Sequence, residues 1–276
     1  MKLGDLMKLA FAVFALTMPL FSWAAADEDT KWQRASNRVW NRVLRTQYFG
    51  DQAILESGDL IELTAPYRAE DSAMVPLKIT SKIPQSSDKY IQKIIVLIDI
   101  NPKPYVGEFI FSEYSGRADL AMRVRVNAYS YIRAIAQLNT GKLYMHKVFV
   151  KASGGCSAPI PADMEAAMKR LGNMKLKVHG DVDGDKPLLA QLMISHPNIT
   201  GMQMDQVSRL VKPAHFVNRV NIVFNDKPVL TAKTDIAISA DPNFRFYFVP
   251  REAGILKAEV QDNKGMVFSS SYEFEP

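Results

Sequence analysis

The chain has 276 residues, 47% of them apolar and 23% charged, with a formal net charge of +5 at pH 7. That length and balance suit one large or two ordinary globular domains, each able to bury a core. The basic excess is diffuse and has no Lys/Arg cluster with interleaved aromatics. It gives no case for nucleic acid; it suits an encounter with an acidic partner or an anionic small molecule, and a plain soluble basic surface is the simpler reading.

Residues 1–26 read as a secretory signal. Lys2 and Lys8 make a positive start, and Leu9 to Phe21 is an uncharged apolar run, too short to span a bilayer. Ser22-Trp23-Ala24 or Ala24-Ala25-Ala26 then offers small residues for cleavage. Removing residues 1–26 takes away two lysines and one aspartate, so +5 becomes +4. No other segment reaches spanning length, so an exported protein without a membrane span is expected.

Residues 30–47 read as a helix, with Trp32, Val39, Trp40, Val43 and Leu44 on one face. From Leu60 the pattern turns to strands. Ile61–Ala65, Val75–Ile79, Lys93–Ile100 and Phe109–Ser112 are the first four, and Asn101-Pro102-Lys103-Pro104 stops the third. Leu120, Met122, Val124 and Val126 alternate with Ala121, Arg123, Arg125 and Asn127. Period two places Arg123 and Arg125 side by side on a wet face, where they could grip an anion, but such a pair is more often simply the solvated face of a strand. Ile132–Leu138 and Leu143–Val150 complete a β-sandwich.

Residues 152–187 read as an arm and linker, with one helix over Pro161–Leu171 capped by Gly172. The second half is again strand-rich: Leu188–Ser195, Phe216–Phe224, Val229–Lys233, alternating Phe244, Phe246 and Phe248, alternating Leu256, Ala258 and Val260, and Met266–Phe274. The expected fold is all-β: two immunoglobulin-like β-sandwich domains in tandem, with a short N-terminal helix and a helical linker. The expected boundaries are 1–26 signal, 27–151 first sandwich, 152–187 arm and linker, and 188–276 second sandwich.

Cys156 is the single cysteine, within Ser153-Gly154-Gly155-Cys156-Ser157. A lone Cys in an exported chain cannot pair internally and suggests a reactive thiol or a disulfide between two chains. The plain alternative is a buried, inert thiol, but the flanking glycines favour an exposed and mobile one. The Gly154 and Gly155 N–H groups could stabilise a bound anion, and Lys151 could assist. His146, His179, His196 and His215 lack a protease context, and no P-loop, GxGxxG, HExxH, CxxC or GxSxG is present. A catalytic centre is therefore not expected. Cys156 with Met202, Met204 and His196 or His215 could bind copper(I), since soft ligands suit it. The spacing is not diagnostic, and turn or packing roles are the simpler reading for these residues.

The first half resembles SoxY, the thiol carrier of sulfur oxidation, through the stretch Ala65–Pro76, Ile100–Pro104, Met122-Arg123-Val124-Arg125 and Val150–Cys156. The second half resembles SoxZ through Ile194-Ser195-His196-Pro197, Thr200-Gly201, Pro213-Ala214-His215-Phe216 and Asp262-Asn263-Lys264-Gly265. The fused order is similar to the quinoprotein dehydrogenase-associated SoxYZ-like carriers. The resemblance implies paired immunoglobulin-like sandwiches in the periplasm, with no cofactor and no metal. Cys156 is then the covalent attachment point for a sulfur intermediate, such as one derived from thiosulfate, and Ser153, Gly154, Gly155 and Ser157 form its carrier arm. The implied partners are periplasmic oxidoreductases, a quinoprotein dehydrogenase or a c-type cytochrome among them. Ser157-Ala158-Pro159 replaces the family's trailing glycines, and the chain continues past the arm, which is therefore tethered at both ends.

Overall fold

The computed structural model describes residues 20–56, 59–160, 164–180, 185–205 and 208–274, with side chains from residue 28. Most of the expected signal segment lies outside them. Helix α1 (Leu20–Val39) runs into a π-helical turn (Trp40–Leu44) and α2 (Arg45–Phe49). None of the described helices is long and apolar enough to cross a membrane.

The strands of the first half are β1 (Ile54–Glu56), β2 (Ile61–Thr64), β3 (Val75–Ser81), β4 (Ile91–Ile98), β5 (Tyr105–Phe111), β6 (Leu120–Val124), β7 (Ser130–Leu138) and β8 (Leu143–Val150). Helix α3 (Met164–Lys169) precedes β9 (Met174–His179), β10 (Leu188–Ile194), β11 (Val217–Phe224), β12 (Lys227–Thr234), β13 (Asn243–Phe248), β14 (Gly254–Asp262) and β15 (Val267–Phe274). Where one face is buried, burial alternates with the pleat. Val75, Leu77 and Ile79 face inward while Pro76 and Lys78 face out, and Phe244, Phe246 and Phe248 repeat the pattern.

The strands form two facing sheets, ordered β1-β8-β7-β4-β5-β12-β11-β14-β15 and β2-β3-β6-β13-β10-β9. The expected all-β, two-domain immunoglobulin-like fold with its N-terminal helix is present. Its halves join edge to edge in both sheets. β5 pairs β12, with Phe109 opposite Ala232, and β6 meets β13 at Ala121 and Arg245. One apolar core therefore runs through both halves, from Leu77 and Phe109 to Phe244 and Val260.

β4 is apolar on successive residues because both of its faces are covered. Ile94, Val96 and Ile98 enter the shared core, while Leu97 packs under the N-terminal helix with Trp40, Leu44, Phe49 and Ile135. Arg133, fully buried below that helix, forms an ion pair with Asp99 (2.9 Å), and its guanidinium lies 4.6 Å from the Trp40 ring centre. Ser36 Oγ donates to the same carboxylate at 2.6 Å.

Two sequence expectations change here. Asn173–Pro187, read as polar linker, contains β9, which pairs with β10 and closes an edge of the smaller sheet. Its Met174, Leu176 and Val178 alternate with Lys175, Lys177 and His179, so the signal was present but half-polar, as edge strands are. Arg125 was placed on the wet face beside Arg123, yet it is 3% exposed. β6 ends at Val124, the alternation breaks, and Val124, Arg125 and Val126 are all buried. The Arg125 N–H donates to Ala237 O across the seam between the halves (2.7 Å).

Candidate functional site

After β8, Lys151 bridges to Arg68, with Lys151 N donating to Tyr67 O (2.7 Å) and Ala69 N to Lys151 O (3.1 Å). The loop 153–158 then folds back over the end of β6. Gly154 N donates to Asn127 O (2.9 Å), Gly155 N to Val126 O (3.1 Å) and Cys156 N to Asn127 Oδ1 (3.3 Å). Gly154 has φ +76°, and Ser157 N donates back to its carbonyl at 3.1 Å, which closes a tight turn.

The second half holds the same loop from the other side. Thr200 Oγ1 donates to Cys156 O (2.7 Å), and Gln203 Nε2 donates to Ala158 O (2.7 Å). The seat is complete at Gly155. A Cβ there would lie 2.1 Å from Ser72 O and 2.6 Å from Val126 O, both fixed backbone atoms.

The expected exposed, mobile thiol is therefore corrected: Cys156 is 1% exposed. Ser153 and Ser157 are exposed on either side, and Gly154 is half-buried. The glycines serve close approach and a positive φ here. Their N–H groups are already bound to protein carbonyls, so they form no anion nest. Lys151 is likewise engaged, with Asp29 and over the Tyr67 ring. Burial pushes the Cys156 thiol up to about 11, with Arg125 pulling the other way, so at neutral pH the docked sulfur is protonated.

Arg125 is the residue that sequence periodicity misplaced. Its NH1 donates to Gly155 O (3.2 Å) and its NH2 to Asn198 O (3.3 Å), while its Nε has no partner. Asn101, from the Asn-Pro-Lys-Pro turn, braces this floor: its Nδ2 donates to Arg125 O and its Oδ1 accepts Asn127 N–H, both at 2.8 Å. Asn198 reaches Ile238 O (3.2 Å) and accepts Val217 N–H (3.1 Å). At the surface, Ser157, Pro159, Met204 and Arg209 line an open hollow of about 250 Å³ beside the loop.

Of the residues weighed for copper, His196 and His215 are grouped with Asp262 and not with Cys156. Among the described His, Cys, Asp and Glu side chains, the group close enough to share an ion is His196, His215 and Asp262. His215 Nε2 lies 2.7 Å from Asp262 Oδ2, His196 Nε2 lies 3.6 Å from it, and Lys264 and Met266 N–H groups donate to Oδ1 at 2.9 Å. His196 Nδ1 accepts Asn198 N–H at 3.1 Å. A neutral imidazole that accepts at Nδ1 carries its proton on Nε2, and that Nε2 is buried without a hydrogen-bond partner. Burial first, then His215, pushes His196 down to about 4. The trio ties three segments of the second half together beneath the 198–203 strap that holds the loop. Met204 is 49% exposed and lines the surface hollow beside Ser157.

Comparison with known families matches residues 45–156 to SoxY, described as sulfur oxidation protein SoxY, and residues 176–273 to SoxZ, described as sulphur oxidation protein SoxZ. No curated protein matches. Among solved structures, the sulfur carrier protein SoxY from Chlorobium limicola f thiosulfatophilum is 22% identical, covering 47% of this chain and 99% of that one at TM-score 0.32. A superoxide reductase (neelaredoxin) from Ignicoccus hospitalis is 14% identical, covering 33% of this chain and 79% of that one at TM-score 0.31. A beta-glycosidase from Bacteroides vulgatus is 11% identical, covering 78% of this chain and 24% of that one at TM-score 0.22. At such scores none of the three structures bears on what this chain does. The two family matches do, and together they take in nearly all of the chain beyond its N-terminal helix: it joins a SoxY-family domain to a SoxZ-family domain in one polypeptide, with Cys156 as the last residue of the first match.

Proposed function

We propose that this protein is a periplasmic carrier that holds a sulfur-linked intermediate covalently on Cys156 and presents it to partner enzymes. The observation that carries this reading is the place of the one thiol. It ends the SoxY match, and its loop is clasped by the SoxY half through Val126 and Asn127 and by the SoxZ half through Thr200 and Gln203. The clasp is made of hydrogen bonds, each worth about 0.5–1.5 kcal/mol net. Such a loop can be released by a partner that offers its own donors and acceptors. Docked, the protonated thiol is shielded from oxidants; released, it returns towards the ordinary thiol value of about 8.5, and its thiolate fraction can react.

Export rests on the leader-like residues 1–26. The chain supplies no chemistry of its own in this reading, and the loading and unloading enzymes are periplasmic oxidoreductases, with a quinoprotein dehydrogenase or a c-type cytochrome as the candidates. Intact-protein and peptide mass spectrometry on protein taken from the periplasm without reductant tests it. A discrete added mass on the Cys156 peptide, absent from Cys156→Ser, is expected. A bare thiol in cells that are actively oxidising a reduced sulfur compound refutes the carrier role.

A further inference from the structure

Arg125 is a buried cation with no counter-charge in contact with it among the described residues. It is 3% exposed, forms no ion pair among the described residues, and spends two N–H groups on the carbonyls of Gly155 and Asn198. Its Nε is buried with no partner. Asp71 acts on it across space, but that carboxylate is exposed and accepts Ala73 N–H at 2.7 Å. Burying an unpaired guanidinium is costly, and carbonyl dipoles compensate it only in part. The other group that acts on it electrostatically is Cys156, which at rest is a neutral thiol.

Resting on the carrier reading above, we infer that Arg125 is the built-in counter-ion for the group that Cys156 bears, so that the site holds adducts ending in an anion, such as a sulfonate or carboxylate, in preference to neutral ones. An anion on the sulfur would supply the missing charge and give Nε an acceptor. The loaded loop then re-docks more firmly than the empty one, and a neutral adduct gains nothing. The SoxY half contributes the cation, while the SoxZ half orients it through the Asn198 carbonyl.

The test uses two reagents of equal size that differ in charge. With iodoacetate or iodoacetamide, the Cys156 thiolate attacks the methylene carbon. A C–S bond forms, the C–I bond breaks, iodide leaves, and the thiol proton goes to solvent. Alkylation takes place on the released loop, so Arg125 is read from the adducts once the loop has re-docked. The wild-type carboxymethyl adduct should melt about 2–4 °C above the carbamidomethyl adduct. That difference is expected to vanish in Arg125→Gln and to be largely kept in Arg125→Lys, as for the loss of one opposite charge at close range. A thiol that reacts but whose two adducts melt together in the wild type, or keep their difference in Arg125→Gln, overturns the role of Arg125 and leaves the carrier reading standing. A Cys156 that neither reagent reaches in the native protein overturns the carrier reading, and this inference with it.

Discussion

Gly155→Ala should unlatch the Cys156 loop without unfolding the protein. The added methyl would lie 2.1 Å from Ser72 O and 2.6 Å from Val126 O. Both are backbone atoms, so no side chain can rotate to relieve the clash. Overpacking of this kind costs about 1–3 kcal/mol. Here the loop can escape by leaving its seat, so the penalty falls on the docked state alone. At about 1.4 kcal/mol per tenfold, a loss of 2–3 kcal/mol raises the undocked population about 30- to 150-fold. Gly154→Ala is the internal comparison. A Cβ there meets nothing within 4 Å, but φ is +76°, and a side chain in that region costs about 1–2 kcal/mol. Alkylation of Cys156 by iodoacetamide at fixed pH reads the open fraction. The expected order is Gly155→Ala fastest, Gly154→Ala intermediate and wild type slowest, with a cooperative melting transition kept in both variants and lowered by no more than about 4–12 °C. A folded Gly155→Ala protein that alkylates at the wild-type rate would refute the seated loop.

Three further outcomes follow from other parts of the molecule. His196 is held neutral, at about 4 against an ordinary value near 6.5, so the unfolded chain binds the extra proton and stability falls as pH drops from 6.5 to 4. The span of about 2.5 units corresponds to about 3 kcal/mol, and urea midpoints across that range should show a slope that flattens in His196→Gln; an equal slope in both proteins contradicts it. Asp99→Ala leaves Arg133 buried without its counter-charge and should cost about 3–5 kcal/mol in urea unfolding, much of it recovered by Asp99→Leu with Arg133→Met. Because β5–β12 and β6–β13 join the halves, residues 27–160 and 164–276 expressed separately should aggregate or stay unfolded, and co-expressed they should elute as one complex with a single melting transition. Two independently stable, non-associating pieces would contradict the shared core.

Most strands are legible in the sequence, because period-two burial is written locally: Val75, Leu77 and Ile79, or Phe244, Phe246 and Phe248, announce one buried face without knowledge of what covers it, whereas the short edge strand β1 and the half-polar β9 carry too little of that pattern. The sequence by itself also determined the family pairing and singled out Cys156, since a lone thiol between glycines is a local fact. Tertiary structure alone decided the state of that thiol. Gly-Gly reads equally as a flexible arm or as a backbone that must approach another closely, and only the positions of Ser72 O and Val126 O choose between them. The same holds for Arg125, whose inward turn depends on where β6 ends and on a hydrogen bond to Ala237, 112 residues away along the chain. His196, His215 and Asp262 carried recognisable motifs, but their joining in one buried cluster comes from strand pairing between distant segments. Local pattern fixes which face of a strand is apolar, whereas contacts across a seam between two halves fix which polar groups are buried, paired or left waiting for a charge.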